Sequence, residues 1–596
     1  MTIYRAPLQD IHFLLNDVFQ FDKFSNLAGF ADASLDIRSA VLSEAAKLSE
    51  EVLHPLNAVG DREGCSRHEN GEVTTPTGFH DGFKRLGEGG WIGLSAPVEY
   101  GGQGLPVTIA TAVGEIFSST NMALEIYAAL SRGAVAALLR HGSDQQKRQF
   151  VPKMLSGEWS GTMNLTEPHC GTDLGLMRTK ATKQADGSYR ITGTKIFISG
   201  GEHDLTENII HLVLARIEGA PPGIKGVSLF VVPKRLVDAD GNPGERNGVS
   251  CGSIEHKMGV RGSSTCVLNY DNAIGWLVGR ENKGMEAMFV MMNEARLGVG
   301  TQALSQSEIA YQNAANYAKE RLQGRSLSGA KAPDKSADPI IVHPDVRRTL
   351  LSIRAFNEAA RALILWTALK EDLARHTEDA GERESAEDYL ALMTPVIKGM
   401  LSDRGFANTV SAQQMFGGHG YIVETGMEQF VRDCRITMLY EGANGIQALD
   451  LVARKLPRDE ARAINLLFQE VTAVIDDSAG SMAMLPLIEP MRRSLRELQQ
   501  ATALLLQRLR EQPNEAVAGS TDFMHLLGLV ALGYMWLRIV KAASEHLVVD
   551  DFSPELAAKP LIGRFFVEHL LPETSTLLAR IQAGGVTVMA MPAQAI

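Results

Sequence analysis

Apolar residues recur at helical spacing through the first quarter of the chain. Ile37, Val41, Leu42, Ala45 and Leu48 share one face, and Ser34 stands where a helix cap belongs. The glycine-rich loop Gly101-Gly102-Gln103-Gly104 breaks the pattern, which resumes over residues 108–141. Near Gly161 the period changes. Short runs rich in β-branched residues (189–193, 209–214, 227–232, 265–268) alternate with turn signals at Asp186-Gly187, Pro222-Gly223 and Asp240-Gly241-Asn242-Pro243. This predicts a β-barrel or sandwich of about 120 residues. From Gly284 the helical period returns, with long runs at 285–323, 343–376 and 386–415. Residues 327–339, rich in Ser, Ala, Lys and Pro, read as an exposed loop, and a break at 455–459 sets off a further helical region.

The predicted architecture is mainly α with a central β-domain. It comprises an N-terminal extension (1–35), a helical domain (36–160), the β-domain (161–283), a helical bundle (284–455) and an additional C-terminal helical domain (460–596). A chain of 596 residues with 45% apolar and 21% charged residues has ample material for several cores. The net charge of −12 argues against non-specific nucleic-acid binding, yet local arginines and helix N-termini can still hold a phosphate. Five scattered cysteines include no CxxC pair, which disfavours zinc or disulfide frameworks and predicts reduced thiols. No metal site is expected. The first residues lack a basic stretch followed by an apolar one, so no secretory leader is expected and the cytoplasm is the expected location. The apolar run 523–537 contains His525 and precedes Arg538. It is shorter than the roughly 20 residues a bilayer requires, so it is expected to be a buried helix, with membrane contact at most peripheral.

Standard nucleotide and protease signatures are missing. There is no GxGxxG between a strand and a helix, no P-loop and no HExxH. One GxSxG string, Gly248 to Gly252, lies among predicted strands with no helix after it, which disfavours a hydrolase elbow.

Five other segments can carry chemistry, although each also has an ordinary structural reading. Met163-Asn164-Leu165-Thr166-Glu167-Pro168-His169-Cys170-Gly171-Thr172-Asp173 can present N–H and O–H donors to a ring edge or phosphate, or be a plain turn into a sheet. In Gly193-Thr194-Lys195-Ile196-Phe197-Ile198-Ser199-Gly200-Gly201 a strand ends in a hydroxyl and two glycines. A flat ligand can approach such a backbone, and so can a tight turn. Gln414-Met415-Phe416-Gly417-Gly418-His419-Gly420-Tyr421 carries three glycines where helix termination needs one. In Tyr440-Glu441-Gly442-Ala443-Asn444, a carboxylate follows an apolar run. It suits either a base in a desolvated pocket or a residue aligned with a helix dipole. Finally, Asn293 and Arg296 share a helix face ahead of Arg321-Leu322-Gln323-Gly324, as anion ligands or surface ion-pair partners.

In this order and context, the segments resemble the acyl-CoA dehydrogenase family over residues 36–455 or so. Glu99-Tyr100-Gly101-Gly102-Gln103-Gly104-Leu105-Pro106 resembles the family's N-terminal glycine loop, and Thr166-Glu167-Pro168 with Gly171-Thr172-Asp173 its flavin loop. Phe197-Ile198-Ser199 is similar to its Trp-Ile-Thr, and Arg321-Leu322-Gln323-Gly324 to its Arg-x-Gln-Phe-Gly without the Phe. Gln414 to Gly418 and Tyr440-Glu441-Gly442 are similar as they stand. The start Tyr4-Arg5-Ala6-Pro7-Leu8 and the extra length after residue 455 resemble a long bacterial subgroup. That subgroup includes 3-methylthiopropionyl-CoA dehydrogenases and broad-range fatty acyl-CoA dehydrogenases.

The resemblance implies FAD as cofactor and Glu441 as the base that removes the α-proton of an acyl-CoA, giving the trans-2-enoyl-CoA. It implies FAD contacts from Met163, Leu165, Thr166, Gly171, Thr172, Phe197, Ile198, Ser199, Arg321, Gln323, Gln414, Gly417, Gly418 and Asn444. Substrate contacts are implied for Thr172, Asn293, Arg296, Tyr440 and Gly442. Asn293 stands where the family often has Asp, and Ala443 replaces a common Thr. Arg321, Gln414, Gly417 and Gly418 are expected to reach the FAD of a neighbouring subunit, which implies a homo-oligomer, expected as a homodimer. An electron-transfer flavoprotein is the expected electron acceptor. Competing readings are an acyl-CoA oxidase of the same fold and a non-catalytic helical scaffold; a flavin hydroxylase of this fold would lack the glutamate at 441.

Overall fold

The β-branched runs pair into one seven-stranded sheet in a computed structural model that describes residues 2–547 and 553–596. The strands are β1 (Trp159–Asn164), β2 (Lys180–Lys183), β3 (Tyr189–Ser199), β4 (Asn208–Ile217), β5 (Val227–Pro233), β6 (Val249–Ile254) and β7 (Thr265–Val278). β3 pairs antiparallel with β2 and β7, β7 with β5, and β5 with β4, while β4 runs parallel to β2. Five strands therefore close on themselves, which leaves no free edge within the ring. β1 adds parallel to β4 outside it, and β6 flanks β7. Alternate residues point inward, so Ile191, Val213, Phe230, Val232, Leu268 and Ala273 fill the barrel. The GxSxG string enters β6 and forms no elbow.

The barrel shares one compact unit, Glu44–Gly298, with the helical domain before it. There α1 (Val107–His141) packs Ala134, Val135 and Leu138 against the outer residues Leu212, Leu214, Leu229 and Val231. α2 (Asp144–Leu155) starts with a reciprocal cap. Ser143 Oγ accepts from Gln146 N at 3.2 Å, and Gln146 Oε1 accepts from Ser143 N at 2.9 Å.

The second unit joins Met1–Ser43 to Val299–Ile596. α3 (Gly284–Glu320) carries the chain into it. α4 (Pro344–His376) and α5 (Ala380–Gln414) then lie against each other. After α6 (Met427–Arg435) and α7 (Asn444–Asp450) come α8 (Arg462–Asp477), α9 (Leu485–Glu511), α10 (Ser520–Leu547), α11 (Pro554–His569) and α12 (Glu573–Ala583). The expected break near 455–459 is a tight turn with Asp459, Glu460 and Ala461 all at positive φ, but the helices on its two sides share one unit.

α10 is apolar all round and sits among α4, α5, α9, α11 and α12. The run read from the sequence as too short for a bilayer belongs to a 28-residue helix. Length is thus no argument against membrane insertion, but burial is. The most apolar window of this helix is 89% buried, and that of α1 is 72% buried, so both serve as core helices.

A buried ionic hub ties the segment around Asp10 and helix α11 to the bundle. Arg361 of α4 reaches Asp10 Oδ2 at 2.6 Å and Glu308 Oε2 at 3.2 Å. Lys559 of α11 pairs with Asp10 and lies 2.9 Å from Glu358 Oε2, which Arg354 also binds through Oε1 at 2.7 Å. Three acids face three bases, so the hub is neutral overall. Burial alone would raise the Asp10 carboxyl, but Lys559 and Arg361 hold it below its ordinary value.

Candidate active site

The helix α6 runs out at Arg435, a single 3-10 turn follows at Ile436–Met438, and the chain then turns sharply before α7. Glu441 stands at that turn with φ 58°, followed by Gly442 at φ 87°. A left-handed glutamate costs about 1–2 kcal/mol, so the surroundings must impose it. Gln447 does so. Its Nε2 donates to the carbonyls of Glu441 at 3.0 Å and of Gly442 at 3.2 Å. The φ of Gly442 favours glycine, and a Cβ there would lie 2.7 Å from that same nitrogen and push it off the two carbonyls. Beside Glu441, Tyr440 donates its hydroxyl to Gln302 Oε1 of α3. Burial first, and then the negative charge of Glu441, pushes the Tyr440 phenol well above its ordinary value.

The barrel unit carries a second array. Residues 163–173 run out of the end of β1 and fold back through paired bonds between Glu167 and Cys170, with Glu167 N–H donating to Cys170 O at 2.9 Å and Cys170 N–H to Glu167 O at 3.0 Å. Glu167 is buried and accepts from Lys195 Nζ at 2.9 Å, Thr179 Oγ1 at 2.6 Å, Thr179 N at 3.0 Å and Arg178 N at 2.7 Å. Burial opposes ionisation here, but Lys195 and these donors win and hold the carboxyl below its ordinary value. Lys195 belongs to β3, as do Phe197, Ile198 and Ser199, so the ion pair clamps the loop to the strand that presents them. Phe197 has φ 58° and is 60% exposed, a conformation and a degree of exposure that a packed aromatic does not need. Met163, Leu165, Thr166 and Ser199 are half-buried, and Gly171 and Thr172 are exposed. Ile198 differs: its side chain is in the barrel core, which leaves only its backbone for a ligand.

In the other unit Arg321, Gln323, Gln414, Gly417 and Gly418 are exposed. Gly417 sits at φ 56°, which itself favours glycine, and a Cβ on Gly418 would meet nothing within 4 Å, so packing of this chain does not account for the second glycine. Asn293 is exposed and Arg296 half-buried on α3. Asn444, expected at the cofactor, has its carboxamide committed inside the bundle. It contacts Lys398, Gly399, Ser402 and Asp403, so its side chain serves the loop's own support.

Sequence reasoning did not single out the supports: Lys195 with Glu167, Gln447, and the Asn444 partners. One signal was visible in His525, a polar residue inside the most apolar run of the chain. Its Nε2 lies 2.9 Å from Asp403 Oδ2. Residues 327–339, read as an exposed loop, form one, and Asp338 staples it. Asp338 accepts from the backbone N–H of Ser326 at 2.9 Å, Lys331 at 2.9 Å and Ala332 at 2.8 Å, and from Arg325 at 3.2 Å.

Four family models match the chain in succession: "Acyl-CoA dehydrogenase, N-terminal domain" at residues 39–158, the middle domain at 162–273, the C-terminal domain at 282–456, and "Acetyl-CoA dehydrogenase C-terminal like" at 467–592. A 3-methylmercaptopropionyl-CoA dehydrogenase of Ruegeria pomeroyi is 41% identical over 583 residues, with 98% of each chain covered. A broad-specificity linear acyl-CoA dehydrogenase, FadE5, of Mycobacterium tuberculosis is 35% identical over 594 residues, covering 96% of each. The fold is similar to that of Caenorhabditis elegans ACDH-11 in complex with C11-CoA, with a TM-score of 0.79, 19% identity, and 96% of this chain and 92% of that one covered.

Proposed function

This chain belongs to the acyl-CoA dehydrogenase family, and from that premise we propose that Glu441 is its catalytic base, taking the α-proton of an acyl-CoA to yield the trans-2-enoyl-CoA. FAD is the family's cofactor. The residues suit it: the outward Phe197 offers an aromatic face, and Thr166 and Ser199 offer hydroxyls. When bound, FAD would supply the acceptor for the hydride leaving the β-carbon, with an electron-transfer flavoprotein as the partner that would receive the electrons.

The chain's own residues do the rest. Glu441 removes the proton, and its backbone N–H donates to the thioester carbonyl as negative charge builds there. Tyr440 and Gly442 line the acyl group, Thr172, Asn293 and Arg296 hold the CoA portion, and Asn293 does so without the charge of an aspartate. Gln323 contacts the cofactor, whereas Arg321, Gln414, Gly417 and Gly418 reach the cofactor of a second subunit in a homodimer, and the site is cytoplasmic. The observation that carries the base assignment is the imposed left-handed turn at Glu441, which two carbonyl bonds from Gln447 maintain. The 41% relative favours 3-methylthiopropionyl-CoA as substrate over longer fatty acyl-CoAs. The test is anaerobic bleaching of the flavin absorbance by a panel of 3-methylthiopropionyl-, butyryl- and octanoyl-CoA, for the wild type and Glu441→Gln. Bleaching that persists at the wild-type rate in the variant would remove Glu441 from its role. Rapid oxygen consumption in place of transfer to the flavoprotein would favour an oxidase.

A further inference from the structure

We infer that helix α10 of the C-terminal region positions the base, with His525 and Asp403 as positioning residues acting through Asn444; this rests on the assignment of Glu441 as base. Asn444 is the first residue of α7, three positions after Glu441, and is buried. Its Oδ1 accepts from Lys398 Nζ at 2.8 Å. Its Nδ2 lies within hydrogen-bonding distance of Gly399 O at 3.0 Å, Ser402 Oγ at 2.9 Å and Asp403 Oδ1 at 2.7 Å. The other Asp403 oxygen faces His525 Nε2 at 2.9 Å.

One continuous chain of polar contacts therefore leads from α10 through α5 to the start of α7. The neighbouring residue on α10 completes the support from the apolar side. A Cβ at Gly399 would fall 2.4 Å from Met524 Sδ and 3.6 Å from Gln447 Cβ, so α5, α10 and α7 meet there without slack. Gln447 in turn holds the Glu441 and Gly442 carbonyls. The base loop is gripped at both ends, by Asn444 and by Gln447, and α10 packs behind both. A carboxylate at a strained turn keeps its aim only as well as its supports are fixed, because small misplacements at a reacting atom cost rate steeply.

The test compares His525→Leu, His525→Gln and Asp403→Leu in the FAD-loaded, full-length protein. Removing the donor should lower the limiting rate of flavin bleaching by 3-methylthiopropionyl-CoA about 10- to 100-fold, as expected for a base displaced by a fraction of an ångström. The acyl-CoA concentration giving half that rate and the FAD content should stay nearly constant. His525→Gln, which offers an amide N–H to Asp403, should recover most of the rate. A role in packing alone predicts equal losses for Leu and Gln, or a loss that follows FAD content and melting temperature; either result overturns the inference, as does a wild-type rate in His525→Leu. If His525→Leu does not fold, His525→Phe, which keeps a ring in place, takes its part. Glu441→Gln is measured alongside. An inactive Glu441→Gln with an unaffected His525→Leu rejects the positioning role alone, whereas an active Glu441→Gln rejects the base assignment itself.

Discussion

The loop that carries Phe197 and the loop that carries Glu441 solve the same problem by opposite means. Both hold a side chain at positive φ, at 58° in each case. The barrel does it locally. Glu167 and Lys195 are 28 residues apart, on a loop and on the strand it borders, and one buried ion pair with its attendant donors fixes both. The bundle does it from afar. The Glu441 turn leans on residues 398–403 and, through them, on His525, more than 80 positions later in the chain. A local clamp makes the ring-presenting strand an autonomous feature of the barrel. A distant one makes the Glu441 turn depend on the second unit being assembled.

The largest effect that separates the two regions should come from Glu441→Gln. It should cut the rate of flavin bleaching about 10²- to 10⁴-fold, the range ascribed to a positioned general base, and leave the melting temperature almost unchanged. Lys195→Met should do the reverse. A buried Glu167 without its partner costs about 3–5 kcal/mol, so chemical denaturation should show a clear loss of stability and the isolated flavin absorbance should fall with it. If stability held, the local-clamp account of the barrel site would be wrong. Next in size is Gly442→Ala. The strained φ and the clash with Gln447 should cost about 1–2 kcal/mol, readable as a lowered urea midpoint together with a lower bleaching rate. The smallest effect on activity is expected at Asp338, whose carboxyl the backbone amide of Ser326, with those of Ala332 and Lys331, holds down at about 2. Because the folded value lies below the ordinary one of about 3.9, its stabilising contribution is complete above that pH and disappears as pH falls through 2. Asp338→Ala should speed tryptic cutting at Lys331 at neutral pH and change turnover little; unchanged cutting would show that the staple is idle.

The same contrast explains what could be read from the chain in advance. The change near Gly161 announced the barrel because short β-branched runs between turn residues mark strands even where, as in β4 and β5, both faces are buried. The contiguous runs around Thr166, Phe197, Gly417 and Glu441 stood out because turn and glycine chemistry is local. The supports did not stand out. Nothing in the spacing of Asp403, Asn444 and His525 indicates that α5, α7 and α10 converge, since helix packing joins positions that no period relates. His525 was visible only as a polar residue out of place, and its reason lay in a carboxylate on another helix. The 523–537 run showed the converse: length misled, and burial among five helices decided.

The ionic hub has a consequence for biosynthesis. During translation Asp10, Glu308, Glu358, Arg354 and Arg361 have all been made well before Lys559, so until the ribosome has released that residue three acids face only two cations. A nascent bundle cannot bury that set without carrying an uncompensated charge into its interior. The segment around Asp10 thus waits for Lys559, and a chain truncated just before Lys559 should yield a product that chaperones and proteases recognise as unfinished.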